Sequence, residues 1–340
     1  MRAHTIDSPR RRPRLRPIHG VLLLGAILTP LVLTSLAGGQ AALAHLTTFP
    51  LGLLALMVAL AALCWNINAT RLRLMLNGRA GRLSQGGALG IEMATKFALC
   101  ATPGGSGGPA TLLALLAQRG FSPAKGAAMF LIDQGCDLLF FLSMLIIALG
   151  STLFSDSQWP HQGLIEAALL ALLAFMATVL LAMRYLSWLM RCRPLRLPGV
   201  NALRRRWLIR RLLRCRHALK ATLALPRTTL ALMLGLTALH WVLRYSLLYI
   251  AVLGVGGHAD WLWTFLTQML AMAASQFSFL PGGAGAAEVG VGGLLLPLMN
   301  QGQVVAAVLI WRLVSYHLYL LVGAPLFFLY STRWLNRRQS

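Results

Sequence analysis

Runs of apolar residues long enough to cross a lipid bilayer constrain the fold of this chain more than any other feature. Such runs recur from Ile18 to the C-terminus, and several reach the ~20 residues that a helix needs to cross a hydrocarbon core of about 30 Å. Only 11% of the residues are charged, whereas soluble domains average roughly 25%. The sequence therefore predicts an all-α polytopic membrane protein.

We predict about six full transmembrane helices and two interrupted hairpins, or eight to ten hydrophobic segments in a single transmembrane domain over residues 18–330. The predicted full spans cover residues 18–37, 49–70, 124–150, 162–183, 228–252 and 303–330. The first run also has the shape of a cleaved signal peptide, because basic residues precede it and small residues follow it. We count it as an uncleaved span because a second apolar run follows and the topology requires it.

Two regions, residues 84–117 and 261–299, are pairs of shorter apolar segments broken at a Pro-Gly-Gly sequence. The residues of the two breaks are Pro103, Gly104, Gly105 and Gly107, and Pro281, Gly282, Gly283 and Gly285. Proline removes a backbone donor and glycine weakens a helix, so each pair should be two helices that meet at a break. Unpaired backbone at membrane depth is tolerated only inside protein or beside a water-filled cavity, so both breaks should point inward. Each pair forms either a re-entrant hairpin or two thin full spans.

The basic residues lie where cytoplasmic segments of a bacterial-type inner membrane protein carry them. The net charge is +23, and its Lys and Arg residues fall in short stretches between apolar runs. The positive-inside bias explains this charge without nucleic acid as a partner. Residues 1–17 and 331–340 are therefore predicted cytoplasmic ends, residues 184–227 a basic cytoplasmic segment, and Arg71 the cytoplasmic end of a span. Within that segment, residues 201–225 fit either an amphipathic helix on the anionic leaflet or a solvated loop.

The two Pro-Gly-Gly-x-Gly sequences mark an internal repeat. Pro281 follows Pro103 by 178 residues, and Trp241 follows Trp65, on the preceding span, by 176. A polar residue inside an apolar span comes 31 residues after each proline: Gln134 in the first half and Arg312 in the second. We therefore predict that each half consists of a span, a broken hairpin and a span.

The repeat should have inverted topology. Repeat 1 covers about residues 49–150 and repeat 2 about residues 228–330, and the single linking span 162–183 lies between them. The second repeat must then enter the membrane from the opposite face to the first. Transporters use this arrangement for alternating access to a site near the midplane, where broken helices meet.

Polar residues inside the spans are the candidate binding residues, because buried intramembrane charge is costly. The candidates for headgroup or substrate binding are Arg312, Arg244, Glu288, Gln134, Asp133, Asp137, Glu92 and Lys96. A guanidinium suits bidentate recognition of phosphate, so Arg312 is the first choice for the headgroup anchor and Arg244 the second.

Two of these assignments leave structural alternatives open. Glu92 and Lys96 are four residues apart, so they fit an ion pair on one helix face as well as they fit a role in cargo binding. Glu288 lies near a helix start, where it either caps the helix or pairs with Arg312. Backbone donors at the helix starts after the breaks would add to any phosphate site.

Asp133 and Asp137 are one helical turn apart, so their carboxylates share a face and repel each other unless a cation lies between them. They fit a proton site that couples transport to the proton gradient. They also fit partners for Arg312 or Arg244, which is the interpretation we favour.

These residues resemble the transmembrane region of lysylphosphatidylglycerol synthase, a family also called flippase-like, over about residues 20–330. The resemblance rests on Asn66, Arg71, the Pro103-Gly104-Gly105 break, Asp133-Gln134 with Asp137, the stretch from Phe279 to Glu288, and Arg312. It implies movement of a lipid headgroup across the bilayer, as with aminoacylated phosphatidylglycerol, or of cargo in polyprenyl-glycan or hopanoid pathways. Gln134 stands where the family often has Arg. No aminoacyl-transferase domain follows residue 330, so we do not expect the chain to make lysylphosphatidylglycerol.

The leading functional hypothesis is a lipid flippase whose partners are membrane lipids with anionic or lipid-linked phosphate headgroups. We expect no metal and no cofactor, because neither cysteines nor histidines have ligand spacing. The alternative is a non-transporting scaffold that binds a lipid- or glycan-modifying enzyme through residues 184–227. An intramembrane enzyme that uses Asp133 and Asp137 is less favoured, because the chain has no catalytic motif. Cargo, direction, energy source and oligomeric state are not evident from the sequence.

Overall fold

The computed structural model describes residues 24–25, 27–29, 32, 39–76, 83–154, 162–192 and 226–337. Most of the predicted first span, the N-terminal basic segment and residues 201–225 lie outside the described residues. Within the described ranges every regular element is helical.

The helices form two units of the same order. The first unit consists of α1 (Leu51–Leu76), α2 (Gln85–Cys100), α3 (Gly107–Gln118) and α4 (Pro123–Phe154). Helix α5 (Gln162–Cys192) follows. The second unit consists of α6 (Arg227–Gly254), α7 (Trp261–Ser275), α8 (Ala286–Leu295), α9 (Gln301–Arg312) and α10 (Leu318–Arg337), and a π-helical turn at Leu313–His317 joins the last two.

Four helical segments are long and apolar enough to cross a membrane, which confirms an all-α polytopic membrane protein. They are Leu51–Leu76, Pro123–Thr152, Arg227–Gly254 and Gln301–Thr332. Helix α5 adds the shorter apolar stretch Ile165–Thr178. The second predicted span stopped too early, because α1 continues to Leu76 and so contains Arg71. The predicted helix end at Arg71 is therefore corrected to Leu76, and the Arg71 side chain is buried.

Each hairpin bends at a 3₁₀ turn that its Pro-Gly-Gly sequence forms. The turns are Pro103–Gly105 and Pro281–Gly283. The two glycines of the first turn have φ angles of 59° and 66°, and those of the second have 65° and 67°. Glycine adopts this left-handed conformation without steric cost, whereas other residues do not. The same short sequence therefore produces the same backbone bend twice, as predicted.

The arms of both hairpins are too short to cross the membrane. Helices α2 and α7 have 16 and 15 residues, and α3 and α8 have 12 and 10. At 1.5 Å per residue the arms measure about 15 to 24 Å, whereas the hydrocarbon core measures about 30 Å. We therefore interpret both hairpins as re-entrant, with their turns inside the bilayer.

The two units repeat the same helix contacts and meet at their turns. In each unit the first long helix packs on the hairpin, the two arms pack on each other, and the second arm packs on the next helix. Helix α1 lies against α6, and the first 3₁₀ turn lies against the second. The Tyr316 hydroxyl donates to the carbonyl of Cys100 at 3.3 Å and lies 3.5 Å from that of Pro281, so one side chain joins the end of α2 to the second turn. Among the described helices only α5 separates the units, as inverted topology requires.

Small residues bring helices of different units into close contact. A Cβ atom at Gly323 of α10 would lie 2.6 Å from the Met93 carbonyl of α2, and one at Gly90 would lie 2.3 Å from the Tyr330 hydroxyl. Helices in a membrane associate through van der Waals packing of this kind, because the hydrophobic effect does not drive helix association in lipid. The first hairpin is thus held mainly by the last helix of the second unit.

Candidate functional site

A buried guanidinium holds the two aspartates of α4. Arg71 Nη2 lies 2.6 Å from Asp133 Oδ1 and 2.9 Å from Asp137 Oδ1. Trp241 of α6 donates its Nε1–H to the same oxygen of Asp137 at 2.9 Å. The two carboxylates therefore share one cation, and Asp137 links the first unit to the second. The predicted partnering of this pair holds, but the cation is Arg71 and neither Arg312 nor Arg244.

The Arg71 cluster extends to the first hairpin through an amide. Arg71 Nη1 donates to Asn68 Oδ1 at 3.1 Å, and Asn68 Nδ2 donates to Glu92 Oε1 at 3.0 Å. Lys96 Nζ lies 3.3 Å from the same Glu92 oxygen, which shows the helix-face pair at four-residue spacing. We use the name Arg71 cluster for these residues: Arg71, Asn68, Glu92, Lys96, Asp133 and Asp137. It connects α1, α2 and α4.

The second break has an ion pair of its own. Arg312 Nε lies 2.6 Å from Glu288 Oε1, and both side chains are only 3% exposed. The two terminal nitrogens of Arg312 lie 3.5 Å from the carbonyls of Gly282 and Gly283. Of the two roles considered for Glu288, the structure shows the ion pair. No side chain caps the start of α8, the helix that contains Glu288. The Arg312 guanidinium thus holds the 3₁₀ turn to α8.

Arg244 has a different environment, without a carboxylate. Its Nη1 donates to the Tyr319 hydroxyl and its Nη2 donates to the Ser315 carbonyl at 3.3 Å. The guanidinium carbon lies 4.7 Å from the centre of the Tyr319 ring, which is cation–π geometry. Among the described residues no Asp or Glu oxygen lies within ion-pair distance of Arg244.

The formal charges of the Arg71 cluster, the Arg312–Glu288 pair and Arg244 sum to zero, but they do not balance within each of the three. The cations are Arg71, Lys96, Arg244 and Arg312, and the carboxylates are Glu92, Asp133, Asp137 and Glu288. The Arg71 cluster carries one excess negative charge, the Arg312–Glu288 pair is neutral, and Arg244 carries one excess positive charge. Separated charge of this kind is costly in a low-dielectric interior.

Two charged side chains of the Arg71 cluster remain accessible. The side chains of Lys96 and Asp133 are 30% and 31% exposed. Arg71 and Arg312 are almost fully covered. The polar centre is therefore open at Lys96 and Asp133, and closed around the two arginines that form tight ion pairs.

The structure does not bring Gln134 into this centre. Gln134 matches Arg312 by its spacing from the proline, but it lies on the exposed face of α4 while its neighbour Asp133 faces Arg71. Sequence reasoning also left Arg71 and Tyr319 out of the candidate residues. One sequence feature could have identified Arg71 as a site residue: it follows Asn68 by three residues, which places both side chains on one helix face.

These features agree with a comparison to known protein families. A family model described as the lysylphosphatidylglycerol synthase TM region matches residues 19–323. The chain belongs to this family. The family region includes both breaks, the Arg71 cluster, the Arg312–Glu288 pair and Arg244 with Tyr319. The resemblance found in the sequence motifs is thereby confirmed.

The chain is also similar to a curated membrane protein. A UPF0104 membrane protein from Archaeoglobus fulgidus is 25% identical over 267 residues, which cover 76% of this chain and 81% of the relative. Membership in the family makes the chain an integral membrane protein and fits a lipid-related role in the membrane.

Proposed function

We propose that this protein moves the phosphate-bearing headgroup of a lipid across the membrane by exposing a central polar site to each side in turn. The observation that carries the proposal is the contact between the two Pro-Gly-Gly turns. Two re-entrant hairpins that enter from opposite faces and touch at their turns leave only a short barrier between the two aqueous sides. Inverted repeats with broken helices serve alternating access in known transporters.

The polar residues next to the turns support a charged headgroup as cargo. Ionisable groups inside a membrane protein mark ion or substrate pathways, because burying them without a use is costly. The buried polar groups of this protein include Arg244, which has no carboxylate partner among the described residues, and Lys96, whose side chain is 30% exposed. Cationic side chains of this kind favour an anionic phosphate over a neutral or cationic solute.

Exposed aromatic side chains beside the second turn support a lipid rather than a water-soluble cargo. Phe277 and Phe279 lie between α7 and the turn at Pro281, and they are 85% and 89% exposed. These exposed rings provide an apolar surface on which the acyl chains of a bound lipid can lie. The turn would therefore open sideways to lipid, so that acyl chains stay in the bilayer while the headgroup passes through the polar centre.

Reconstitution into sealed liposomes tests the proposal. The liposomes contain a trace of fluorescent phosphatidylglycerol, polyprenyl phosphate or diacylglycerol, and an impermeant quencher added outside reports the fraction of label that reaches the outer leaflet. We expect a phosphate lipid, but not diacylglycerol, to become accessible faster than in protein-free liposomes. Equal rates with and without protein for every phosphate lipid would refute the proposal.

Two variants make the test specific. Asp137→Asn weakens the link from Arg71 to Trp241, which joins the units, and should change the translocation rate. Gln134→Ala, on the exposed face of the same helix, is the matched control and should leave the rate unchanged. If both variants move lipid at the wild-type rate, the contact of Asp137 with Trp241 has no part in transport.

The orientation and location of the protein are part of the proposal. The basic segments at residues 1–17, 184–227 and 331–340 support cytoplasmic termini under the positive-inside rule, in a protein of the inner membrane. Reporter fusions at either terminus should be active only when the reporter works in the cytoplasm.

A further inference from the structure

We propose that Arg244, Lys96 and Tyr319 form the binding site for the lipid phosphate, and that Arg312 is a structural brace. This inference rests on the proposed function and assigns its substrate site. It also reverses the order of the two arginines that the sequence suggested, because the structure shows which of them is already neutralised.

Arg312 is already neutralised by a carboxylate and covered by protein, so it is poorly placed to bind a phosphate. Glu288 neutralises its charge at 2.6 Å, and its terminal nitrogens face the carbonyls of Gly282 and Gly283. Its side chain is 3% exposed, so a headgroup would have to displace the carboxylate and open the turn to reach it. These contacts describe a residue that holds the second break in shape.

Arg244 has both the charge and the donors that a phosphate requires. A guanidinium has five N–H donors. Within the described residues two of them are used, toward Tyr319 and Ser315, and three remain. The stack on the Tyr319 ring and the bond to its hydroxyl fix the orientation of the guanidinium plane. A fixed, unneutralised guanidinium is suited to bidentate recognition of phosphate.

Lys96 supplies the second cation of the site. It lies on α2, which packs against α10, the helix that carries Tyr319, and its ammonium interacts electrostatically with Tyr319 and Arg244. Its only carboxylate partner among the described residues is Glu92, at 3.3 Å, and that carboxylate also accepts a hydrogen bond from Asn68. The exposed part of Lys96 gives a headgroup access. Arg244 has no carboxylate partner among the described residues, so binding of an anion between the two cations is favourable.

The site combines residues from both units beside the two breaks. Lys96 lies seven residues before Pro103 on the first hairpin, whereas Arg244 and Tyr319 belong to α6 and α10 of the second unit. Tyr319 is one turn beyond Tyr316, the residue that joins the end of α2 to the second turn. Relative motion of the units would therefore change the distance between the two cations, so phosphate binding and rearrangement of the units are coupled.

Binding by the purified full-length chain tests the assignment separately from transport. The probe is fluorescent phosphatidylglycerol at equilibrium in detergent micelles, with diacylglycerol as the lipid without phosphate. Inorganic phosphate as a competitor distinguishes a lipid-specific site from a site for any phosphate. We expect Arg244→Gln to weaken phosphatidylglycerol binding by about 10- to 100-fold, because charge-assisted hydrogen bonds contribute about 1.5–3 kcal/mol each.

Matched variants separate binding from folding. Arg73→Gln makes the same change at an exposed arginine of α1 and should bind as the wild type does. Arg244→Lys keeps the charge and should retain part of the affinity. Arg244→Gln leaves no carboxylate of the described residues without a partner, so its melting temperature should fall much less than that of Arg71→Gln, which leaves two. Tyr319→Phe removes only the hydroxyl that orients Arg244 and should cost about fivefold in affinity, which gives a second measurement should Arg244→Gln not fold.

The outcomes distinguish the two proposals. Wild-type affinity in both Arg244→Gln and Lys96→Gln overturns the site, even if the wild-type protein moves lipid. Phosphate-dependent binding that both substitutions abolish supports the site, even if the wild-type protein moves no lipid in liposomes. Equal binding of phosphatidylglycerol and diacylglycerol to the wild type also overturns it. Loss of binding in Glu288→Gln alone, with Arg244→Gln unaffected, would return the anchor role to the second break.

Discussion

The repeat offers a controlled measurement of how tightly its second break is packed, through alanine at Gly104 and at Gly282. Both glycines occupy the same position of the Pro-Gly-Gly turn, with φ angles of 59° and 65°. A Cβ atom at Gly104 would have no heavy atom within 4 Å, whereas one at Gly282 would lie 2.1 Å from Cε2 of Tyr316. The two substitutions therefore share the backbone strain and differ in the steric clash.

The expected costs follow from these two terms. A non-glycine residue in the left-handed region costs about 1–2 kcal/mol, which is all that Gly104→Ala should lose. Gly282→Ala also forces Tyr316 to move, and overpacking typically costs about 1–3 kcal/mol. Movement of Tyr316 breaks its hydrogen bond to Cys100, at about 1 kcal/mol. Gly282→Ala should therefore destabilise the protein by about 3–6 kcal/mol.

Unfolding in mixed micelles, followed by tryptophan fluorescence, measures both free energies under the same conditions. The double variant Gly282→Ala with Tyr316→Ala should be less destabilised than the sum of its parts, because the small side chain removes the clash. Equal losses for Gly104→Ala and Gly282→Ala would refute the reasoning, since they would show that Tyr316 does not pack against the second turn.

Three further predictions concern the ion pairs and the helix contacts. Arg71→Gln should destabilise the fold by about 3–5 kcal/mol because it leaves two carboxylates to repel each other, whereas Arg73→Gln at an exposed site should cost under about 0.5 kcal/mol in the same unfolding experiment. Glu288→Gln should lower the free energy of unfolding by a similar amount, about 3–5 kcal/mol, because it leaves Arg312 unpaired. The double variant Glu288→Leu with Arg312→Met should recover most of that loss. A double variant no more stable than Glu288→Gln would contradict the pairing. Gly323→Leu should separate α2 from α10 and lower the melting temperature. Gly235→Leu is the control, because no heavy atom lies within 4 Å of its Cβ position, and it should leave the melting temperature unchanged. Equal melting temperatures for the two variants would show that α2 and α10 are not closely packed at Gly323.

The sequence predicts those parts of the fold that local backbone chemistry determines. Pro-Gly-Gly gives the same bend in both hairpins of this chain, so both turns and both pairs of arms were predicted correctly. The long spans follow from apolar length alone, and the end of α1 was missed because Arg71 looks like a cytoplasmic boundary. An arginine can continue a membrane helix when acids on another helix neutralise it, and that pairing is a tertiary property.

The site was predicted less well because its partners depend on helix rotation. Adjacent helical residues point about 100° apart, so Asp133 can face Arg71 while Gln134 faces outward. Equal spacing from the proline gave Gln134 and Arg312 the same expected role, yet α9 turns Arg312 inward. Which arginine lacks an acid likewise depends on which helices pack together, and neither motif nor spacing contains that information.

Alternating exposure of the polar centre is the central claim, and labelling at position 96 tests it most directly. Lys96→Cys is introduced after the five native cysteines are replaced by alanine, and an impermeant maleimide is applied to either side of oriented proteoliposomes. We predict labelling from both sides in separate experiments, with slower labelling when a phosphate lipid is in excess. Labelling from one side only, unchanged by lipid, would contradict alternating access.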